Sequence, residues 1–212
     1  MNLYNVIIAA IIGYSFGCIQ TAFIIGKLVK KIDIRQHGSN NAGASNVTNV
    51  LGWKYGVITA LVDILKAVAA VIVIKVIFPD VPELVFVAGV LSILGHIFPI
   101  YLKFKGGKGT ASLIGMFLAI DIKIALLLAA ILIILTLVTD YIAVGAIFMF
   151  VTAPIAVYIF NYLMLGVGLC IILTIVCFFK HYINIVRIIH GNEVGLRKVV
   201  NKHSGKRNDV SL

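Results

Sequence analysis

Charged side chains are scarce in this chain of 212 residues. They make up 12% of it, about half the share found in an ordinary soluble domain, whereas hydrophobic residues make up 61%. A soluble protein of this length has too little interior to bury so much apolar surface. The composition therefore excludes a soluble domain and predicts an integral membrane protein.

Cysteine is also scarce, and no basic residue occurs near the amino terminus. Each of the three cysteines lies in an apolar run without metal-ligand spacing, so we infer neither a disulfide nor a metal site. A secretory signal begins with basic residues, and the first basic residue here is Lys27. We therefore expect residues 3–26 to remain as a membrane span.

Long continuous apolar runs are what the sequence does contain. They favour helices, because spanning strands would alternate with period two. Since a span needs about 20 mostly apolar residues, the predicted fold is all-α, a polytopic membrane protein with seven transmembrane helices at 3–26, 55–78, 84–102, 110–121, 122–139, 142–160 and 162–179. The fourth is short, and only Asp121 and Lys123 separate it from the fifth, so six spans are the alternative.

The basic residues predict the orientation, because lysine and arginine concentrate on the cytosolic side of a membrane. Seven spans with the N-terminus outside and the C-terminus in the cytosol place most of the 18 basic residues inside, in 27–54, 103–109 and the segment after 179. Six spans would move the tail to the other face. We expect one membrane domain over 1–195 and a basic tail over 196–212, either solvated or near anionic headgroups. The net charge of +10 is then topological and implies no nucleic acid.

Three polar segments lie on this cytosolic face, and the first is DIRQHGSNNAGASNVTNVLG, Asp33 to Gly52. Glycine and asparagine tolerate left-handed turns, whose successive amides form a concave nest for an anion. Serine and asparagine side chains add neutral donors. The candidate residues are Arg35, Gly38, Ser39, Asn40, Asn41, Gly43, Ser45 and Asn46. A plain connecting loop is the alternative.

The second polar segment is GHIFPIYLKFKGGKGTAS, Gly95 to Ser112. A helix N-terminus with free amides and nearby lysines suits phosphate, although the glycine spacing is not that of a Walker A motif. A positive-inside turn would explain the lysines but not the interruption of the preceding span. The candidate residues are His96, Lys105, Gly106, Gly107, Lys108 and Gly109.

The third polar segment is FKHYINIVRIIHGNEVG, Phe179 to Gly195. His181, Asn184 and Arg187 follow at steps of three, so they share one face if this part is helical, and Glu193 comes next. An amphipathic helix lying on the membrane is the alternative. Asp63 and Lys66, three residues apart inside the second span, either pair with each other or contact a substrate.

In their order and residues, the three segments resemble the acyl-phosphate-dependent glycerol-3-phosphate acyltransferases, the small bacterial family called PlsY. The family pattern GSGNxGATNxxRxxG followed by DxxKG is similar to Gly38–Gly52 with Asp63 and Lys66. The pattern GHxFPxxLxFKGGKGxAT is similar to Gly95–Ser112, and HxxNIxRLxxGxE to His181–Glu193.

The resemblance implies transfer of a fatty acyl group from acyl phosphate to the sn-1 hydroxyl of glycerol 3-phosphate, giving lysophosphatidic acid and phosphate. It implies a bacterial plasma membrane protein with its site facing the cytosol, no cofactor, no metal, and two substrates that meet at the lipid bilayer. The resemblance also implies a soluble enzyme that makes acyl phosphate as a partner.

The chemistry of the residues fits that reaction. His181 is the candidate general base, although a substrate phosphate could take the proton instead. Ser39, Asn41 and Asn46 are candidate oxyanion donors, and the remaining candidates would bind phosphate or substrate. No histidine has an aspartate five residues on, which argues against the HxxxxD class of glycerolipid acyltransferases.

Four positions depart from the family pattern. Asn40 replaces a glycine and Ser45 a threonine, which are mild changes. Asn49 replaces an arginine, so a guanidinium group that could bind phosphate with two hydrogen bonds is lost. Ala143 replaces a serine, so a hydroxyl group is lost. Arg35, Lys54 or Arg187 compensates, or acceptor affinity is weak, or the acceptor differs. The rivals are a diverged paralogue, inactive or using another polyol phosphate, and a small membrane transporter.

Overall fold

The computed structural model describes residues 2–204, and within them every regular element is helical. Short 3₁₀ turns cover Ile34–Gln36 and Ile100–Leu102. The α-helices are α1 (Leu3–Gly17), α2 (Thr21–Lys30), α3 (Ala44–Leu51), α4 (Trp53–Ile77), α5 (Leu84–Ile97), α6 (Thr110–Ile120), α7 (Ile122–Thr139), α8 (Ile142–Ile159), α9 (Met164–Ile189) and α10 (Leu196–Ser204). The end of the predicted tail, 205–212, lies outside the described residues.

Six helical stretches of the described chain are long and apolar enough to cross a membrane, and the predicted all-helical membrane fold is confirmed. The α6 helix has 11 residues, about 16 Å at 1.5 Å per residue. It packs beside the second half of α4. Ser112, near the start of α6, donates to the Asp63 carbonyl, and Lys75, near the end of α4, donates to the Ala119 carbonyl. The count of seven spans and the orientation remain predictions.

The first predicted span, 3–26, is broken into α1 and α2 at residues 18–20. The break leaves the Ile19 carbonyl outside either helix, and Lys66 of α4 donates a hydrogen bond to it at 2.7 Å. Gln20 is fully buried in the break and donates to the His96 carbonyl at 3.0 Å. Lys66 thus satisfies a carbonyl of the break, and Gln20 of the break satisfies a carbonyl at the end of α5, where the interior offers no water.

The α5 helix is the central element, because it is apolar all round and buries nearly its whole surface. The α1 helix runs parallel to it in close contact. A Cβ atom at Gly13 would lie 2.3 Å from the Ala88 carbonyl oxygen, and one at Gly17 would lie 2.1 Å from that of Ser92. Small residues at this four-residue spacing let two membrane helices approach backbone to backbone.

The last long helix, α9, continues to Ile189, well past the predicted end at residue 179. The third polar segment is therefore the final part of a spanning helix, with His181 and Asn184 buried. Beyond it, the chain is fixed to the turn between α7 and α8. The amides of Leu196 and Arg197 donate to the carbonyl and carboxylate oxygens of Asp140, each at 2.8 Å.

Candidate active site

The first polar loop is organised around Asn46, in the first turn of α3. Its side-chain amide donates to the carbonyls of Ile34, His37 and Asn41 at 2.9–3.0 Å. Its Oδ1 atom accepts the Ser39 amide at 2.8 Å. Both amide hydrogens are thus used inside the loop, and Asn46 shapes the turn that carries Ser39 and Asn41.

The backbone of this loop has the left-handed turns expected from its glycine and asparagine content. Gly38 and Asn40 have φ of 62° and 58°. A side chain at Gly38 would meet the Asn46 Oδ1 atom at 2.2 Å. Gly43 precedes the first residue of α3 as its N-cap. Ser39 and Asn41 are partly buried, whereas Ser45 is exposed.

Arg35 is committed to the protein. Its guanidinium forms two bonds with the Asp33 carboxylate, at 2.7 and 3.0 Å, and a third with the Leu102 carbonyl at 3.0 Å. The Arg35 hydrogen bonds hold the pKa of the Asp33 carboxyl below its usual value. Arg35 thus joins the first loop to the second, which leaves it poorly suited to replace the arginine missing at Asn49.

The second polar loop folds back against the end of α5. The amides of Gly106 and Gly107 donate to the carbonyls of Ile97 and His96, at 3.1 and 3.0 Å. A Cβ atom at Gly107 would lie 2.0 Å from His96 Nε2 and 2.8 Å from the Ala42 carbonyl oxygen. Only glycine fits at this contact between the two loops.

The two candidate lysines of this loop lie in different surroundings. Lys105 is exposed and lines a cavity of about 330 Å³ together with Arg35 and Tyr101. Lys108 is partly buried and comes just before Gly109, which has a φ of 85° and is the N-cap of α6. Lys105 therefore faces the first polar segment, and Lys108 faces the third.

Lys108 reaches the third segment through a relay of side chains. Its Nζ atom donates to the Oδ1 atom of Asn184, whose amide donates to Glu193 Oε1 at 2.6 Å. Burial is the main cause that lowers the pKa of the Lys108 ammonium to about 8; Glu193 opposes this shift, and the charges of Lys180 and Arg187 add to it. The relay brings a cation with a weakened hold on its proton to the face of α9 that carries His181.

His181 lies one turn before Asn184 on α9 and is 2% exposed. Its Nδ1 atom is 3.0 Å from the Cys177 carbonyl oxygen. A carbonyl only accepts, so the ring proton sits on Nδ1 and the lone pair on Nε2. Nε2 is thus an acceptor, which a general base requires.

The candidates inside the membrane form a group of their own, halfway along α4. Lys66 Nζ is 2.7 Å from Asp63 Oδ1 and 2.8 Å from His96 Nδ1. Sequence reasoning missed two neighbours of this group, Gln20 and Thr21, of which Thr21 donates to Asp63 at 3.2 Å. The sequence does mark these two residues, because Gln20 and Thr21 form a polar pair inside an apolar run.

Contacts connect the three segments in sequence: the first loop meets Gly107 at Ala42, Lys108 bonds to Asn184, and Asn184 is a turn from His181. Among the residues that the structure describes, no three His, Cys, Asp or Glu side chains are grouped to hold a metal ion. The arrangement offers the Lys108 ammonium group among other basic residues and the lone pair of His181, which suits a phosphorylated substrate and a proton transfer.

Known proteins share both the sequence and the fold. The family model for glycerol-3-phosphate acyltransferase matches residues 7–191. The chain is 40% identical to glycerol-3-phosphate acyltransferase 1 of Oceanobacillus iheyensis, over 92% of this chain and 97% of that protein. It is 38% identical to glycerol-3-phosphate acyltransferase of Shouchella clausii, over 92% and 98%.

Two crystal structures of PlsY (YgiH), an integral membrane glycerol 3-phosphate acyltransferase, have a similar fold. The glycerol 3-phosphate form superposes with a TM-score of 0.84 at 30% identity, covering 90% of this chain and 95% of that one. The lysophosphatidic acid form superposes with a TM-score of 0.81 at 29% identity, covering 92% and 98%.

Proposed function

The chain belongs to the glycerol-3-phosphate acyltransferase family, and from this we propose how its site works. The enzyme acylates glycerol 3-phosphate to lysophosphatidic acid, in agreement with the two ligand forms of the similar crystal structures. We propose that the acyl donor is acyl phosphate, because a second phosphate-bearing substrate would use the second loop that the fold brings beside the first. The observation that carries the proposal is the hydrogen bond from Lys108 to Asn184, on the face of α9 that also carries His181.

In the proposed step, the sn-1 hydroxyl oxygen attacks the carbonyl carbon of acyl phosphate. The new ester C–O bond forms, the bond from carbonyl carbon to phosphate oxygen breaks, and inorganic phosphate leaves. His181 Nε2 accepts the hydroxyl proton, since Nδ1 already donates to the Cys177 carbonyl. The Ser39 hydroxyl and the Asn41 side-chain amide stabilise the oxyanion.

The other candidates take supporting roles in this proposal. Lys108 and the Gly109 amide at the start of α6 neutralise and bind phosphate. The amides of Gly106 and Gly107 are bonded to α5, so these two glycines shape the turn that presents Lys108. Asn184 and Glu193 hold Lys108. The Arg187 carbonyl holds the end of α9, because it accepts the amides of Asn192 and Glu193. Gly38, Asn40, Gly43, Ser45 and Asn46 shape the first loop.

The cellular setting follows from the same reasoning. We propose that the site faces the cytosol of a bacterial cell, where glycerol 3-phosphate is soluble and the donor's acyl chain lies in the bilayer. A soluble enzyme would then deliver acyl phosphate at this face.

Purified protein in lipid nanodiscs tests the function, with palmitoyl phosphate and glycerol 3-phosphate as substrates and mass spectrometry of the products. We expect lysophosphatidic acid and phosphate in equal amounts, and no product when palmitoyl-CoA replaces palmitoyl phosphate. Lys108→Met should lose at least about 100-fold in kcat/KM, as expected when a charged contact is removed. Lys123→Met, the same change at an exposed position on α7, is the matched control.

The outcomes separate the alternatives. Turnover only with another polyol phosphate would identify a paralogue with a changed acceptor. No turnover with any acceptor would contradict the proposed function, and turnover with palmitoyl-CoA would contradict the proposed donor.

A further inference from the structure

A buried cluster of three titratable side chains lies where α4, α5 and the break between α1 and α2 meet. Asp63 is 2% exposed, and Lys66 and His96 are each 4% exposed. Lys66 Nζ lies 2.7 Å from Asp63 Oδ1 and 2.8 Å from His96 Nδ1. Ionisable residues at such depth are expensive to bury, and they usually serve a function.

The hydrogens of the Lys66 ammonium group are all accounted for. They point to Asp63, to His96 and to the Ile19 carbonyl oxygen, which is 2.7 Å away. An ammonium group has three hydrogens, so none is left for a substrate. Of the two roles that the sequence left open for Lys66, the geometry favours pairing.

The same contact decides the tautomer of His96. An ammonium group only donates, so Nδ1 must accept and the proton of the neutral ring sits on Nε2. The Nε2 edge rests on Gly107, since a Cβ atom there would lie 2.0 Å from it. The His96 carbonyl accepts the Gly107 amide at 3.0 Å. His96 therefore touches this glycine with both its ring and its backbone.

The two buried histidines, His96 and His181, are held in different tautomers. His181 carries its proton on Nδ1, which donates to the Cys177 carbonyl, and keeps a lone pair on Nε2. His96 carries its proton on Nε2 and receives a hydrogen bond on Nδ1. The Nε2 atom of His181 can thus accept a proton, whereas the Nε2 atom of His96 already carries one.

We propose that Asp63 and Lys66 are positioning residues that act through His96. They hold His96 in the Nε2–H tautomer, and its ring supports the Gly106–Gly107 turn that presents Lys108 to a substrate phosphate. The kinetic consequence depends on the proposed acyltransfer, whereas the tautomer does not. His96 has no role as the base while Lys66 occupies its Nδ1 atom.

The tautomer is tested without any substrate, by solid-state NMR of the full chain with ¹⁵N-labelled histidine in lipid bilayers at neutral pH. Spectra of His96→Gln and His181→Gln variants assign the two rings by difference. We expect a neutral His96 protonated on Nε2 and a His181 protonated on Nδ1. A His96 ring protonated on Nδ1, or on both nitrogens, would overturn the proposal even if the enzyme is active.

Kinetics test the positioning role with His96→Asn. The asparagine carbonyl reaches the place of Nδ1 and still accepts from Lys66, but it leaves the edge beside Gly107 empty. We expect KM for glycerol 3-phosphate to rise about tenfold while kcat stays within about threefold, the pattern for lost binding without lost chemistry. An unchanged KM, or a 100-fold loss confined to kcat, would contradict positioning through Lys108.

Ser92→Ala is the matched control for this variant. Ser92 is buried one turn before His96 on α5, and its hydroxyl has no hydrogen-bond partner among the described residues. We expect wild-type KM and thermal stability. A KM as high as that of His96→Asn would assign the effect to any disturbance of α5 and overturn the proposal.

Discussion

Burial of Lys108 changes both its protonation and its attraction for phosphate. Its ammonium group is held among Asn184, Glu193 and two further cations, and burial lowers its pKa to about 8. The same burial that weakens its hold on a proton strengthens its attraction for phosphate, because screening by water is reduced. Below pH 8 Lys108 is mostly cationic, and above pH 8 it becomes neutral.

The pH dependence of acylation should follow this single group on its alkaline side. The second pKa of a phosphate monoester is about 6, so the acceptor stays dianionic there. We expect kcat/KM for glycerol 3-phosphate, which reports the free enzyme, to fall above pH 8, towards about tenfold per pH unit. Lys108→Arg keeps its charge at these pH values and should remove the fall, whereas Lys123→Arg should retain it. A fall that persists in Lys108→Arg would assign it to another group.

Ala143 lies at about the same depth in the bundle as His181, although the two residues are far apart in sequence. The antiparallel helices α8 and α9 are joined by the bond from Thr174 to the Phe150 carbonyl, at 2.7 Å. Ala143 and His181 are each about two turns from this bond, towards the same end of the bundle. The serine of the family pattern would therefore place a hydroxyl at the depth of His181.

Restoring the two lost family residues should strengthen acceptor binding. In Ala143→Ser with Asn49→Arg, we expect KM for glycerol 3-phosphate to fall about tenfold, the effect of one charge-assisted hydrogen bond. Ala146→Ser, one turn deeper on α8, is the control and should not lower KM. An unchanged KM in the restored variant would mean that acceptor binding in this chain does not use these positions.

At the scale of elements, the contact between α1 and α5 depends on glycine. The spacing of Gly13 and Gly17 allows two backbones to touch where any side chain would collide. Because α5 carries His96 and the start of the second loop, this packing also fixes the depth of the site. The break after α1 then brings Gln20 against the His96 carbonyl.

Gly13→Ala should destabilise the bundle. The added methyl group would lie 2.3 Å from the Ala88 carbonyl oxygen, and overpacking of this kind costs about 1–3 kcal/mol. We expect Tm in detergent to fall by about 2–10 °C. Gly168→Ala on α9 is the matched control, because a Cβ atom there has no neighbour within 4 Å among the described residues, and its Tm should stay the same or rise. Equal losses in both variants would contradict the close contact.

At the scale of the whole molecule, the polar segments gather at one end of the bundle. The α5 and α9 helices run in parallel, with Phe86 against Gly166 at one end and Phe98 beneath Lys180 at the other. Their C-terminal ends therefore meet with the loop that opens α6. The basic residues predict that this end is cytosolic.

Cysteine labelling tests both orientation and span count, in a Cys18→Ser background with a membrane-impermeant maleimide. We expect Asp80→Cys to react in intact cells, and Lys31→Cys and Lys198→Cys only after permeabilisation. Six spans would instead place positions 31 and 198 on opposite faces. Labelling of Lys31→Cys in intact cells would invert the predicted orientation.

The sequence by itself determined the class of protein and most of the long apolar helices, and it predicts which three polar segments form the site. Hydropathy is a sum over neighbouring residues, so the bounds of α7 at 122–139 follow from local composition alone. The left-handed turn at Asn40 is likewise local, because it depends on one residue type. The proposed acyltransfer reaction came from the family resemblance, since the family's sequence patterns are short and can be recognised without a structure.

Only the tertiary structure decided what each polar side chain touches. The pairing of Lys66 with His96, the commitment of Arg35 to Asp33 and the Leu102 carbonyl, and the break at 18–20 all depend on distances between segments far apart in the chain. A hydrogen bond is satisfied or lost over less than an ångström. No pattern of neighbouring residues carries that information, so the roles of individual donors and acceptors emerge only when the helices are packed.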